Sequence, residues 1–389
     1  MLDSYIDKSM YYMLLLFALS SNLSTAGTSI AMVIGLLLTI VKYVNKPFNI
    51  EFDKKLLRGF IVFAITIFIA AICSQNSIIS FKHIFATMNR FIPILLVIVF
   101  VKKREQLINI LLCLSLSIFM DDIMAIWQRI GGLGQPHGFN NTHTFLASHL
   151  LAMIPLFWVL AMEEYSLHPR YKAWFSMVAG TSAVVLVLTD TRGAWLAMLA
   201  VCVMYALLNR KKQFKILMLV LLALILAFLA FLYIPALQVR VLSIGDMQQT
   251  GNSERLLMWQ SSWKIFLDYP LIGVGPGEFA NFYNNQYISP LAQEQGHTSP
   301  HNNFLLYLTE TGIVGLSGFV YLFFCVINYF LRQYRNNSQL VLSLAMLLVT
   351  VGILGEGLTD HNFGQASIAR LYWFILGLAY SAGRLQQHE

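Results

Sequence analysis

Apolar stretches long enough to cross a membrane recur along almost the whole chain. Charged residues, Gly, Pro or Asn mark their ends. The pattern predicts an all-α polytopic membrane protein with about twelve transmembrane helices. They lie near 9–22, 26–43, 59–75, 86–101, 105–125, 144–162, 172–189, 193–208, 213–234, 314–331, 339–356 and 368–384.

One polar region interrupts this pattern and divides the chain into three parts. Residues 1–234 hold the first nine predicted spans, 235–311 form one large loop, and 312–389 hold the last three spans. A structureless loop of that length is uncommon, so this one is expected to be folded and functional.

The loop contains two helical patterns with a glycine-rich turn between them. The first runs over 253–268, where Leu256, Trp259, Trp263 and Phe266 recur at helical spacing, and this stripe suits either a membrane surface or packing on protein. The turn is Gly273-Val274-Gly275-Pro276-Gly277. The second helix is expected to begin with Ser299 as N-cap and Pro300 at its first position, and to stop at Gly312.

Composition and charge strengthen the membrane interpretation. Hydrophobic residues make up 57% of the chain and charged residues only 12%, which excludes an ordinary soluble domain. Most basic residues fall in alternate loops, which places both termini in the cytoplasm and the large loop outside. The net charge of +7 is therefore a topology signal, and no basic stripe indicates nucleic-acid binding.

Three basic or ionisable residues are predicted at helix beginnings on the outer face: Arg192, Arg255 and His301. A helix N-terminus is already positive, which disfavours a cation there by roughly 0.3–1 kcal/mol. Unpaired N–H groups and a guanidinium can, however, bind one anion together. Each Arg could instead reach phospholipid headgroups, and His301 could serve a structural hydrogen bond.

Two further outer loops carry secondary candidates. Arg129 and His137 lie in a Gly-rich polar loop that could bind sugar hydroxyls or be a solvated turn. Asp360 and His361 lie in the last outer loop, where they could contribute to a site or pair with each other. The four cysteines lie in apolar spans without metal-ligand spacing, so no metal site is predicted.

These short motifs, taken together, resemble the O-antigen ligase and polymerase superfamily. The resemblance rests on their order, side and spacing, over roughly 180–315. The motifs are Thr191-Arg192-Gly193, Ser253-Glu254-Arg255 with Trp259, Gly273-Val274-Gly275 followed by Phe279, and His301-Asn302 with Glu310-Thr311-Gly312.

The resemblance implies a GT-C-like membrane glycosyltransferase that takes glycan from undecaprenyl pyrophosphate on the periplasmic side of the inner membrane. Arg192 and Arg255 would bind the pyrophosphate, and His301 would be the catalytic base. His297, Asn302 and Glu310 would contact glycan or support the site. No cofactor is expected, and the transfer would be inverting and independent of metal.

The acceptor is what the sequence specifies least. The leading hypothesis is an O-antigen ligase whose acceptor is the lipid A–core oligosaccharide. A polymerase of the same superfamily would use a second carrier-linked glycan, and a protein O-oligosaccharyltransferase would use Ser or Thr. A transporter or flippase of lipid-linked sugars is the alternative of another class. Membrane lipids are expected partners of any of these.

Overall fold

A computed structural model describes residues 2–163, 167–209, 238, 250–336 and 341–388. Within these residues the chain is helical and contains no β-strand. The helices are α1 (Leu2–Ser20), α2 (Thr25–Asn45), α3 (Lys54–Ile72), α4 (Ser77–Asn89), α5 (Ile92–Phe100), α6 (Arg104–Ile130), α7 (His143–Met162), α8 (Pro169–Leu188), α9 (Arg192–Leu208), α10 (Thr250–Asp268), α11 (Phe279–Phe282), α12 (Asn303–Asn336), α13 (Val341–Glu356) and α14 (Ala366–His388).

The prediction of an all-helical, multi-pass membrane protein is confirmed. Within the described ranges, 7 helical segments are long and apolar enough to cross a membrane, and α9 and α13 are shorter apolar helices. The predicted span 213–234 lies outside the described residues. Every other predicted span overlaps a described helix, while the total of twelve stays a prediction.

The predicted span 86–101 is not one regular helix. The chain is already helical from Ser77, and α4 ends at Asn89 before α5 begins at Ile92. Pro93 stands at the start of α5, where a missing N–H group and a fixed φ are tolerated. Proline therefore sets a break that hydropathy alone did not indicate.

Small residues bring α3 and α12 close together. A Cβ added to Gly59 would lie 2.9 Å from the Cβ of Cys325, and one added to Gly318 would lie 2.1 Å from the hydroxyl oxygen of Thr66. Small residues at such crossings let helix backbones approach closely in membranes. This packing fixes α12, whose first turns carry several of the candidate site residues.

The predicted stop at Gly312 is confirmed as a break inside α12. Gly312 has φ 60° and ψ −165°, outside the helical region. The N–H groups of Ile313 and Val314 bond to the carbonyls of Pro270 and Leu271, at 2.9 and 3.2 Å. The loop after α10 thus satisfies donors that the broken helix leaves open, and it ties the two segments together.

The connections before α9, after α10 and after α13 meet at one end of the helix bundle, which we call the site end. The N–H of Asn303 donates to the carbonyl of Gly357 at 2.8 Å. The hydroxyl of Ser74, after α3, donates to the carbonyl of Val274 at 3.3 Å. Segments far apart in the sequence therefore share this end of the molecule.

Candidate functional site

Arg192 stands at the first position of α9, as predicted, directly after Thr191. One guanidinium nitrogen donates to the side-chain oxygen of Asn252 at 2.9 Å. The next residue, Gly193, packs on the connection between α13 and α14, because a Cβ there would lie 2.1 Å from the hydroxyl oxygen of Thr359. The beginning of α9 thus contacts both α10 and the segment that carries Asp360.

The predicted N-terminus of the helix around Arg255 is wrong. The described part of α10 begins at Thr250, so Arg255 lies beyond its first turn, and Asn252 bonds to Arg192 instead of capping a helix at 253. The side chain of Arg255 is half-buried. It makes no hydrogen bond or ion pair with another of the described residues.

The expected apolar stripe of α10 is only partly buried. Trp263 is 50% exposed, whereas Met258 and Ile265 are buried on another face of the helix. Trp259 is half-buried, and its indole N–H donates to the carbonyl of Pro300 at 2.9 Å. That bond, one turn beyond Arg255, ties α10 to the residues just before His301.

The predicted start of the second loop helix at Ser299 and Pro300 is also wrong. The helix α12 begins at Asn303, and the side-chain oxygen of Asn302 accepts from the N–H groups of Phe304 and Leu305 at 2.9 and 3.0 Å. Asn302 is therefore the cap. His301 has φ +49°, a left-handed conformation, so it precedes the helix instead of lying in its first turn.

His301 pairs with Asp360 across the site end. Its ring Nδ1 lies 3.1 Å from Oδ1 of Asp360, which also accepts from the backbone N–H of His361 at 2.7 Å. Burial raises the pKa of Asp360, but the hydrogen bond to and electrostatic interaction with His301, the N–H of His361 and the charge of Arg255 together hold it below its usual value. A buried, ionised carboxylate on Nδ1 leaves Nε2 of the imidazole as its proton acceptor.

Asp360 and His361 were expected either to pair with each other or to contribute to a site. The carboxylate of Asp360 accepts a hydrogen bond from the backbone N–H of His361, not from its ring. His361 instead lines a small cavity of about 20 Å³, together with His83, Arg90 and Glu310. Burial and the charge of Arg90 lower the pKa of His361 to about 3, so this ring is uncharged at neutral pH.

A buried polar network, which sequence reasoning missed, holds the connection that carries Asp360. The carboxylate of Glu356 accepts from the hydroxyl of Ser148 at 2.6 Å and from Asn362 at 3.1 Å. Asn362 in turn accepts from the side chain of Asn303 at 2.6 Å, and Asn302 donates to the carbonyl of Leu358 at 2.9 Å. The available signal was a carboxylate at the end of an apolar span, directly before a polar run.

Glu310 supports the glycine-rich turn. Its buried carboxylate accepts from the N–H of Phe279 at 3.3 Å, and its carbonyl accepts from Gly275 at 2.8 Å. Gly273 has φ +71°, and a Cβ there would lie 2.4 Å from the carbonyl carbon of Glu310. The turn therefore packs directly against the backbone of α12 just before its break.

Gly273→Ala is expected to destabilise the protein more than Gly296→Ala. Both glycines have positive φ, which disfavours alanine by roughly 1–2 kcal/mol. Only the added Cβ at Gly273 meets backbone, since nothing lies within 4 Å of the one at Gly296. Thermal unfolding of the two purified variants measures the difference, and equal unfolding temperatures would contradict close packing of the turn on α12.

His297 lies next to His301. The two ring centroids are 6.1 Å apart and nearly perpendicular. The Nε2 atom of His297 lies 3.6 Å from a carboxylate oxygen of Glu294, and its backbone carbonyl accepts from Asn284 at 3.0 Å. His297 therefore lies beside another of the candidate residues.

The predicted loop placement of Arg129 is wrong, because Arg129 lies in the last turn of α6, whereas His137 lies in the connection from α6 to α7. Within the described residues, an ion pair of Arg129 links this region to the segment before α9. Arg129 is 4.0 Å from the carboxylate of Asp190, two residues before Arg192. The side chain of Gln128 accepts from the N–H of His137 at 2.9 Å. The buried Asp121 accepts from Phe139 at 2.7 Å, so the loop has a fixed shape.

The three principal candidates therefore converge. Arg192 bonds to Asn252, three residues from Arg255 on α10, and the charge of Arg255 acts on Asp360. Asp360 contacts His301 and follows Thr359, on which the beginning of α9 packs. Within the described ranges, no group of three or more His, Cys, Asp or Glu side chains is arranged to hold a metal ion.

Comparison with known proteins identifies a related family for part of the chain. Residues 177–320 match the family model described as O-antigen ligase. An O-antigen ligase of Salmonella typhimurium is 29% identical over 188 residues, which cover 47% of this chain and 46% of that protein. An uncharacterised protein of Haemophilus influenzae is 22% identical over 366 residues, which cover 89% of this chain and 90% of that protein.

The resemblance to the O-antigen ligase family is thereby confirmed over residues 177–320. That stretch contains Arg192, Arg255, His301 and Glu310. The aligned part spans less than half of the Salmonella ligase. The apolar helices and this match together support a multi-pass membrane protein that is similar to the O-antigen ligase family over that stretch.

Proposed function

We propose that this protein is an O-antigen ligase. It transfers O-antigen polysaccharide from undecaprenyl pyrophosphate to the lipid A–core oligosaccharide, at the periplasmic face of the inner membrane. The observation that carries the proposal is the pairing of His301 with Asp360, at 3.1 Å. His301, Arg192 and Arg255 lie in the part of the chain that matches the ligase family.

The arginines would bind the pyrophosphate of the donor. A sugar pyrophosphate leaves with its charge already delocalised, so it needs electrostatic stabilisation more than protonation. Arginine suits this role because its planar guanidinium makes bidentate contacts to phosphate. Arg255, which is half-buried and makes no hydrogen bond or ion pair with another described residue, has donors left for a phosphate, while Asn252 orients Arg192.

His301 would remove the proton from the acceptor hydroxyl. Its Nδ1 faces Asp360, so Nε2 accepts the proton while the carboxylate stabilises the imidazolium that forms. The hydroxyl oxygen then attacks the anomeric carbon, and the bond to the pyrophosphate oxygen breaks. Attack from the face opposite the leaving group inverts the anomeric configuration, so a product with the donor's configuration would exclude this single displacement.

Asp360→Asn is expected to lower the transfer rate by about tenfold to a hundredfold, because an amide neither fixes the imidazole tautomer nor stabilises the imidazolium. Its effect should fall on kcat, while the donor concentration for half-maximal rate stays unchanged. Asp360→Glu, which keeps the charge, should restore part of the rate. A loss confined to donor binding would show that Asp360 does not act through His301.

The acceptor decides between this proposal and its alternatives. Purified protein would be incubated with undecaprenyl-pyrophosphate-linked O-antigen and, in separate reactions, with lipid A–core lipopolysaccharide or a second carrier-linked glycan. The ligase proposal requires glycosylated lipid A–core, and chain extension on the carrier alone would identify a polymerase. A transporter or flippase would give no covalent product in either reaction.

The donor reaction should proceed without an added metal ion, since arginine side chains would carry the charge on the pyrophosphate. Transfer would be compared in EDTA and in buffers with Mg²⁺ or Mn²⁺. Loss of activity in EDTA that returns when a divalent ion is added would contradict this part of the mechanism.

A further inference from the structure

A second polar cavity lies at the other end of the helix bundle, where α2, α5 and α14 end. Its volume is about 160 Å³. We call it the basic cavity, because three of its lining side chains are cationic and none of the described residues that line it is acidic. Its walls include Lys42, Phe48, Asn49, Ile98, Lys102 and Arg384.

Lys42 brings a buried charge to this cavity. Its side chain is only 11% exposed, it forms an ion pair with Asp7, and its ammonium lies 4.9 Å from the centre of the Phe100 ring. A buried ammonium needs opposite charge nearby, and Asp7 supplies one such charge for Lys42.

Arg384 has hydrogen-bonding capacity left over. One terminal nitrogen of its guanidinium donates to the carbonyl of Ile98 at 2.8 Å. Its Nε is buried and has no hydrogen-bond partner among the described residues. Buried donors in folded proteins are almost always paired, so Arg384, which lines the cavity, has a donor group not used by the described residues.

The third cation that lines the basic cavity is Lys102, which is exposed. Burial lowers the pKa of its ammonium, and the charges of Lys42 and Arg384 lower it further, while Asp7 only partly offsets them. Among the described residues, Lys102 is thus acted on by two other cations and by one carboxylate, that of Asp7. An anion in the cavity would offset the repulsion among these cations.

We propose that the basic cavity binds a phosphate-bearing anion. Phosphate offers several acceptor oxygens, which suit the unused N–H of Arg384 and the ammonium groups of two lysines. Apolar side chains such as Phe48 and Ile98 stand beside the cations. This combination suits the headgroup of an anionic phospholipid, and free phosphate shares the same chemistry.

The test uses the purified full-length protein in a neutral detergent, with thermal unfolding followed by tryptophan fluorescence. Short-chain phosphatidylglycerol, short-chain phosphatidylcholine and inorganic phosphate are titrated separately. Phosphatidylglycerol is expected to raise the unfolding temperature at concentrations where phosphatidylcholine does not. Stabilisation by inorganic phosphate as well would identify the free anion as sufficient, and its failure would identify the lipid headgroup as the source.

Lys102→Gln and Arg384→Gln should each raise the half-maximal concentration of the stabilising anion about tenfold, which corresponds to loss of one charge-assisted hydrogen bond. Lys55→Gln is the matched control, because Lys55 is exposed at the beginning of α3 and does not line the cavity. The proposal is overturned if neither anion stabilises the protein beyond phosphatidylcholine. It is equally overturned if the control variant weakens the effect as much as Lys102→Gln.

Discussion

His301→Ala is expected to lower glycan transfer by about 10²–10⁴-fold, the usual contribution of a general base. The side chain is 38% exposed and precedes α12, so its removal leaves the helix cap at Asn302 in place. Folding and donor binding should therefore persist. The measurement is the transfer rate with saturating donor, together with donor binding and the unfolding temperature of the same preparation.

Gln295→Ala provides the matched control for His301→Ala. Gln295 is exposed in the same loop, so its removal tests whether any truncation there disturbs the site. The control should transfer glycan at the wild-type rate. A His301→Ala variant that transfers as fast as this control would remove the proposed base from the mechanism.

Arg255→Lys is expected to raise the donor concentration needed for half-maximal rate by about tenfold, since one charge-assisted, bidentate contact is replaced by a point charge. Arg192→Lys should shift the same parameter in the same direction. Unlike Arg192, Arg255 makes no hydrogen bond or ion pair with another described residue, so its substitution should leave the unfolding temperature nearly unchanged.

Lys264→Ala separates donor binding from general attraction to the membrane surface. Lys264 is exposed on the same helix, α10, and lies well beyond Arg255. Its loss should not change the dependence of rate on donor concentration. If Lys264→Ala and Arg255→Lys weaken the donor step equally, the arginine serves headgroup contact and not the pyrophosphate.

Hydropathy predicted most of this fold because each membrane span must be apolar over a full crossing length. The beginning of α9 at Arg192 was also predictable, since a polar junction separates two apolar runs there. The predicted beginnings of α10 and α12 were wrong, because several polar side chains near each beginning could have capped the helix. Asn302, not Ser299, caps α12, and Asn252 bonds to Arg192 instead of capping α10.

The individual candidate residues could be predicted from the sequence, but the contact between His301 and Asp360 could not. Arg192, Arg255 and His301 were identified as candidates because their residue types suit an anion and a proton transfer. Nothing local in the sequence relates His301 to Asp360, which lies 59 residues further along the chain. Their contact depends on Glu356, Asn362 and Asn303 forming a buried network between α12 and α13.

The His301–Asp360 contact limits how the chain can be divided between relatives. Residues 177–320 contain His301, Arg192 and Arg255, whereas Asp360, which contacts His301, lies beyond that stretch. A chimera that exchanges only 177–320 between relatives would join an imidazole from one parent to a carboxylate from the other. Working exchanges should therefore have their downstream crossover after the connection between α13 and α14, so that both halves of the pair descend from the same parent.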